Sequence, residues 1–312
     1  MRLLTLVAAA VVVTAILPSA AQQQGFLGRW NLTGTGEDSN RIYWLEVTEQ
    51  NGQLAGKFLN RGGSPVPLPK IGVEGKELVW QLAPGNDKQP GAIFRATLEG
   101  SKLVGTTKAG DRTVNFTGAR PPTWPKSDAN AKHNFGKPVE LFDGKAAENT
   151  FDTQPSNYPV KWSVQDGVLT NDPPTRNLVS KQKFKDFRLQ AEYKLTEKSN
   201  SGIYLRGRYE MQVLDDYGKP PEEHGHMAIY AWKAPLVNAS KPAGEWQTVD
   251  IVIVGNRVTA TLNGQKVHDN SEIQAITGGA LDADETAPGP IMIQGDHTKL
   301  WLRRMTVTPI VN

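Results

Sequence analysis

The residues best suited to chemistry lie in one stretch, Asn200 to Gly218, which reads NSGIYLRGRYEMQVLDDYG. From Tyr204 onward the even positions are Tyr204, Arg206, Arg208, Glu210 and Gln212. The odd positions are Ile203, Leu205, Tyr209, Met211 and Val213, with Gly207 between them. A β-strand sends successive side chains to opposite faces, so one face is apolar and the other carries cations, an acid, an amide and a phenol. Gly207 is either a bulge or the tip of a tight hairpin joining 202–206 to 208–215, and two flanking arginines suit an exposed tip. In either arrangement Tyr204, Glu210 and Gln212 share a face. Such a mixture can be a solvated sheet face. It is also a set of groups able to bind the hydroxyls of a sugar.

Glu210 and Asp215 are five residues apart, so on one regular strand they point to opposite faces. They do not form the paired carboxylates of an ordinary glycosidase. Asp215 falls at the strand end, where an acid caps turns as readily as it reacts. Downstream, His224-Gly225-His226 places two imidazoles at spacing two, near Asp215, Asp216, Glu222 and Glu223. On a strand these histidines would share a face and act as acid and base or hold a divalent cation. His226 opens the apolar run Met227–Trp232, read as a strand pairing near Glu210, and is favoured over His224. Asp296-His297 follows the strand read at 289–294 and stands at an edge. Asn200, Gln294 and Asn238 can orient hydroxyls, and Trp232 can stack on a sugar ring. His268, after the Asn263-Gly264 turn, reads as structural, and His133 has no assigned role.

The elements that must position these groups are almost all strands. Residues 25–120 carry seven candidate strands separated by explicit turns such as Asn60-Arg-Gly-Gly63 and Glu99-Gly100-Ser101. Strands at this rhythm close into a small barrel or a two-sheet sandwich. With Gly28-Arg-Trp30 near its first strand, this unit resembles a lipocalin, and it contains no catalytic constellation. Residues 121–136, with three prolines and no periodicity, read as a linker or strap. From 137 to 312 strands dominate again, with longer connections, which predicts two antiparallel sheets packed as a sandwich or jelly roll. The fold class is therefore all-β.

Composition narrows the function classes. The chain has 312 residues, a net charge of +3, no cysteine and no block of basic residues. Nothing supports nucleic-acid binding, and no disulfide can form. Arg2, the apolar run Leu3–Leu17 and the small residues Ser19-Ala20-Ala21 read as a cleaved signal peptide over residues 1–21. The expected location is secreted or periplasmic, with no membrane span left after cleavage.

An ordered set of motifs then points to a family. Leu141-Phe-Asp-Gly144, Trp162-Ser-Val-Gln-Asp-Gly-Val-Leu169, Asn200-Ser-Gly-Ile-Tyr-Leu-Arg206 and Tyr209-Glu-Met-Gln-Val-Leu-Asp215 resemble the 3-keto-disaccharide hydrolase domain. So do the run from Ala234 to Gln247, Leu262-Asn-Gly264 and Gln294-Gly-Asp-His297. The resemblance covers residues 137–310 and does not extend to the N-terminal unit. It implies a concanavalin- or LamG-like jelly roll and an exported enzyme that cleaves glycosides whose glucose carries a ketone at carbon 3. It does not transfer a catalytic set, so the roles come from chemistry. The ketone acidifies the proton on carbon 2, and the site needs a base, an acid for the leaving oxygen and an electrophile for the enolate. Glu210, His226 and Asp215 are the proton-transfer candidates, and Arg206, Arg208 or a divalent cation the enolate stabiliser. Tyr204, Arg208, Gln212, Asn200, His224, Asn238, Trp232, Gln294, Asp296 and His297 are the substrate contacts. Two other readings remain: a non-catalytic LamG-like carbohydrate-binding module, and an endo-glucanase-like glycosidase.

Overall fold

The structure is a computed structural model, and it describes residues 20–85 and 90–311. The expected leader lies almost wholly outside the described residues. The described chain is built from strands, with one seven-residue helix, Ala20–Phe26, and two short 3-10 turns.

The first sheet runs from Gly28 to Ala119 and holds nine strands in meander order. Its first long strand, Gly28–Gly34, pairs antiparallel with the last, Arg112–Ala119. The opposite ends also meet: Leu68 N–H donates to Gly56 O at 2.9 Å, and an added Cβ on Gly56 would lie 3.2–3.3 Å from Leu68 and Ile71. The sheet therefore curls into a barrel. All seven expected strands are present, and Val66–Pro67 and Lys70–Glu74, too short or too polar to show a clear period, add two more. The interior is filled by rings. Phe94 stacks on Trp80 with centroids 5.1 Å apart, and Tyr43, Phe58 and Phe116 pack around the pair. Closing hydrocarbon against rings in this way is what holds the barrel together.

The second unit is two sheets over one core. The larger sheet carries Phe187–Leu195 in the middle, flanked by Trp246–Val254 and Leu300–Pro309. The smaller has five strands in the order Phe151–Thr153, Leu178–Phe184, Gly289–Ile293, Asn200–Leu205, Tyr209–Leu214. Leu189, Tyr193 and Ile251 from the first sheet share a buried cluster with Ile203, Leu205, Met211 and Ile293 from the second. These are the alternate positions of each strand, so the apolar face anticipated for the central stretch is the inner face of a sandwich.

Gly207 is the tip of a hairpin. Leu205 pairs with Tyr209, and Tyr204 with Glu210. Arg206 and Gly207 have φ of +54° and +65°, and Arg208 N–H donates to Leu205 O at 3.1 Å, so the three-residue loop 206–208 is built on a tight turn whose twist matches the strands. The tip is not exposed: Arg206 and Arg208 are each 1% accessible. Residues 227–232 are not a strand. Met227 and Ala231 take positive φ, and this segment instead lies along the outer edge of Tyr209–Leu214. Gln212 N–H donates to Ala228 O, and Tyr230 N–H to Glu210 O, each at 3.0 Å. It covers an edge that would otherwise expose unpaired backbone.

The barrel packs on the sandwich. The strand Ile42–Gln50 is buried on both faces in its first half: Tyr43 and Leu45 face the barrel interior, while Ile42 and Trp44 join the sandwich cluster. Trp44 meets Trp232 edge-on at 5.0 Å. The segment 121–136 is strapped to the sandwich, with Ala129 N–H donating to Asn270 Oδ1 and Asn130 amide to Asp269.

Candidate active site

The outer face of the five-stranded sheet forms a groove of about 370 Å³. Its floor comes from alternate residues of neighbouring strands: Asn200 and Tyr204, Glu210 and Gln212, Met292 and Gln294. Gln154, Asn177, Tyr230, Asp296 and His297 line its sides, and glycine pairs 62–63 and 278–279 complete it.

Glu210 is the buried acid of this groove, 5% accessible. Burial, more than any neighbouring charge, pushes its carboxyl up to about 7 from an ordinary 4.5. Gly202 makes room for it. A Cβ there would stand 2.4 Å from Glu210 Oε1, so this diagonal neighbour on the adjacent strand, which itself pairs with Gln212, has to lack a side chain. The phenol oxygen of Tyr204 lies 2.9 Å from both Glu210 Oε2 and Gly278 O. A phenol has one proton. If it goes to Glu210, the carboxylate is ionised; if it goes to Gly278, a protonated Glu210 can donate to the phenol. The contact is thus satisfied in both states of Glu210. Burial keeps Tyr204 itself protonated, well above the usual phenol range.

Asp296 and His297 form a second acid–base element. His297 Nδ1 lies 2.7 Å from Asp296 Oδ1. This hydrogen bond holds the imidazole above its ordinary value. Among the described residues, Nε2 has no hydrogen-bond partner. His297 also lowers the Glu210 carboxyl electrostatically, so the two groups act on one space. Gln294 lines the groove, while its Oε1 is buried without a hydrogen-bond partner. Asn177 is fixed by donating to Gln154 Oε1 at 2.9 Å and accepting from Gly295 N–H at 2.8 Å.

Seven of the residues expected from the sequence are brought together here: Glu210, Tyr204, Gln212, Asn200, Gln294, Asp296 and His297. The others are elsewhere. Arg206 donates to the carbonyls of Lys185 and Gly255 and pairs with Asp186 at 2.8 Å. Arg208 pairs with Asp282 and donates to Ala287 O at 2.9 Å. Both brace the turn behind the groove, and neither lines it. The alternation that placed them on the polar face ends at Leu205, where the chain turns.

His226 is a core histidine. Its Nδ1 lies 2.6 Å from Leu214 O and its Nε2 2.7 Å from the Tyr193 hydroxyl, and burial lowers its pKa, keeping it neutral. Asp215 accepts from Lys198 N–H at 2.7 Å and caps a turn in which Lys198 has positive φ. Asn238 clamps a loop through Asp216 and Ser240. Trp232 packs between the units and donates to Ile276 O. His224 stands just outside the groove, its Nε2 2.8 Å from Ser64 Oγ of the barrel and its ring against Tyr230. His224 and His226 therefore do not converge. Among the described residues no group of three or more acids or histidines is arranged to hold a metal ion. The polar groups that line the groove are two phenols, carboxamides, an imidazole and the carboxylates of Glu210 and Asp296.

Sequence reasoning missed Gln154, Asn177, Tyr230 and the two glycine pairs. The amides sit where strand boundaries blur, and Tyr230 was assigned to a strand that does not form. Gly62-Gly63 and Gly278-Gly279 were the available signal, because paired glycines mark close backbone approach.

The fold is an all-β sandwich with a groove on the outer face of its smaller sheet, lined by a buried carboxyl and an acid–histidine pair. The chain belongs to the family of 3-keto-alpha-glucoside-1,2-lyase-like domains, whose model matches residues 137–308. A curated relative from Bacteroides thetaiotaomicron, named a 3-keto-disaccharide hydrolase, is 24% identical over 41% of this chain; the match spans 57% of that relative's length. Among solved structures, one assigned as a glycosyl hydrolase from Parabacteroides distasonis is 28% identical, with a TM-score of 0.48 over 55% of this chain and 84% of its own. LamA from Z. galactanivorans, in complex with laminaritriose and laminaritetraose, is 12% identical, with a TM-score of 0.38 over 57% of this chain and all of its own.

Proposed function

We propose that the protein cleaves glycosides whose glucosyl unit carries a ketone at carbon 3, by elimination followed by addition of water. The carrying observation is Glu210: a buried carboxyl poised near neutrality and facing a groove of hydroxyl-binding amides. A base with a pKa near the working pH is the most effective proton acceptor. The family match, and the name of the curated relative, support the choice of substrate.

In this reading ionised Glu210 takes the proton from carbon 2. The C–H electrons form the C1=C2 double bond as the C1–O bond breaks. Tyr204 remains hydrogen-bonded to Glu210 throughout. His297, held protonated by Asp296, gives its proton to the departing oxygen. Water then adds across the double bond: its hydroxyl joins carbon 1 as His297 takes its other proton, and protonated Glu210 returns a proton to carbon 2, which yields the free 3-keto sugar and restores both groups. Gln294, Gln212 and Asn200, which line the groove, orient the ring. Rate should rise with pH through about 7 as Glu210 ionises and fall again above the ordinary imidazole range as His297 loses its proton. The leader-like residues 1–21 support export of the enzyme.

The test uses maltose oxidised at carbon 3 of its non-reducing glucose. The wild-type protein should release glucose, and Glu210→Gln should lower kcat by about 10²–10⁴ with a retained fold. Binding of the keto-sugar without turnover by the wild type would leave the chain a carbohydrate-binding module. Turnover of unoxidised glucans would return it to ordinary glycosidases.

A further inference from the structure

The family match leaves the barrel outside it, yet the barrel reaches the groove. Its Asn60–Ser64 loop is fixed to the sandwich by three contacts. Gly279 N–H donates to Arg61 O at 2.7 Å. Gly63 lies so close to Gly278 that a Cβ on the latter would fall 2.4 Å from Gly63 O. Ser64 Oγ meets His224 Nε2 at 2.8 Å. The glycine pairs are what allow two backbones to touch here. Gly279 in turn abuts the Tyr204 phenol, which an added Cβ would meet at 2.7 Å. The loop is therefore built against the residues that hold Glu210.

The groove has a direction. Tyr204, Glu210 and the glycine pairs form one end. Asn200 begins the same strand four residues earlier, about 13 Å away at the usual rise per residue, and has Gln294 and Asn177 for company. A sugar whose carbon 2 meets Glu210 must sit at the glycine end. The departing sugar then lies over the amides, and the barrel loop stands beyond the reacting ring.

We propose that the Asn60–Ser64 loop is the end wall of the groove, so that the reacting sugar must be a chain terminus, unsubstituted at the hydroxyl through which a longer chain would extend. The inference rests on the reading of Glu210 given above. It assigns the barrel a part in specificity, by steric exclusion of longer chains rather than by added attraction.

Gly62 offers the test. It does not have a positive φ, and a Cβ added to it meets nothing within 4 Å, so a side chain is tolerated by the backbone at this groove-lining position. With C3-oxidised maltose, Gly62→Trp should raise KM at least about tenfold with the melting temperature unchanged, whereas Gly62→Ala should behave as wild type. The same disaccharide carrying a 4-O-methyl group on its oxidised ring should be turned over at least about tenfold less efficiently by wild type, and a loop shortened by deletion of Arg61–Gly63 should reduce that penalty. An unchanged KM in Gly62→Trp, or equal use of both substrates by wild type, overturns the end wall. Glu210→Gln is run in parallel: if it keeps full turnover, the reading of the site has failed rather than that of the wall. Should the shortened loop not fold, the Gly62 pair still decides.

Discussion

Glu210 carries its environment as a cost to stability. In the unfolded chain its carboxyl ionises near 4.5; in the fold it ionises near 7. Between these values the folded state binds more protons than the unfolded one, so stability falls as pH rises. Below 4.5 both states are protonated and there is no penalty. Above about 7 both are ionised and the penalty is complete, on the order of 3 kcal/mol from the gap between the two values. Glu210→Gln removes this titration while keeping the shape. Its urea midpoint should match wild type at pH 4 and exceed it at pH 8, the gain developing between about 4.5 and 7. Glu285 is also raised by burial, so the overall profile is mixed, but the difference between the two proteins isolates Glu210. A variant no more stable than wild type at pH 8 would mean that the carboxyl is not desolvated. The residue itself was legible, because an acid among alternating apolar residues must leave the core face. The reversal of His226 was not legible. A histidine beside acids reads as reactive until the carbonyl of Leu214 and the hydroxyl of Tyr193 are known to take both ring nitrogens.

At the scale of the element, the hairpin 200–214 shows where a two-residue period misleads. The alternation is real in both strands, and it delivered Tyr204, Glu210 and Gln212 to one face. It stops at the turn, where Arg206 and Arg208 point by turn geometry rather than by pleat. Their charges are then absorbed by partners that no local pattern reveals: Asp186 twenty residues upstream and Asp282 seventy-four downstream. The same limit applies to 227–232, whose apolar run has strand composition but takes two positive φ values and wraps an edge. Arg206 is therefore a stability residue. Arg206→Ala leaves Asp186 and two carbonyls without their donor, and breaking a buried pair costs about 3–5 kcal/mol. Chemical denaturation should show that loss, while kcat per folded molecule stays near wild type. Arg206→Lys should recover little, because one ammonium cannot reach three acceptors in the guanidinium plane. A lost kcat with unchanged stability would return Arg206 to the chemistry.

At the scale of the whole molecule, the strand Ile42–Gln50 couples barrel to sandwich. Its first four residues are all buried, where a strand such as Arg112–Ala119 alternates buried and exposed positions. IYWLEV could be read as a buried strand, but its second partner could not be named from sequence, since a two-sided strand looks the same whatever covers it. The partner is Trp232, with Ile42 and Leu59 beside Trp44 in the sandwich cluster. Strand 42–50 pairs along its length with Gln53–Asn60, and the latter leads directly into the loop at Gly62-Gly63. Trp44 thus seats the strand that presents the end of the groove, without lining the groove itself. Trp44→Ala should cost about 3–5 kcal/mol, as for other large core truncations. It should also raise KM for the C3-oxidised disaccharide while leaving kcat near wild type, because Glu210 and Tyr204 are carried by the sandwich alone. His224→Ala, which releases Ser64 and removes the ring contact to Tyr230, should give the same KM effect with a smaller loss of stability. If Trp44→Ala lowers stability with KM unchanged, the two units are packed together but not functionally joined. If kcat falls with KM constant, the interface reaches Glu210 by way of Trp232 and Tyr230 rather than through the loop.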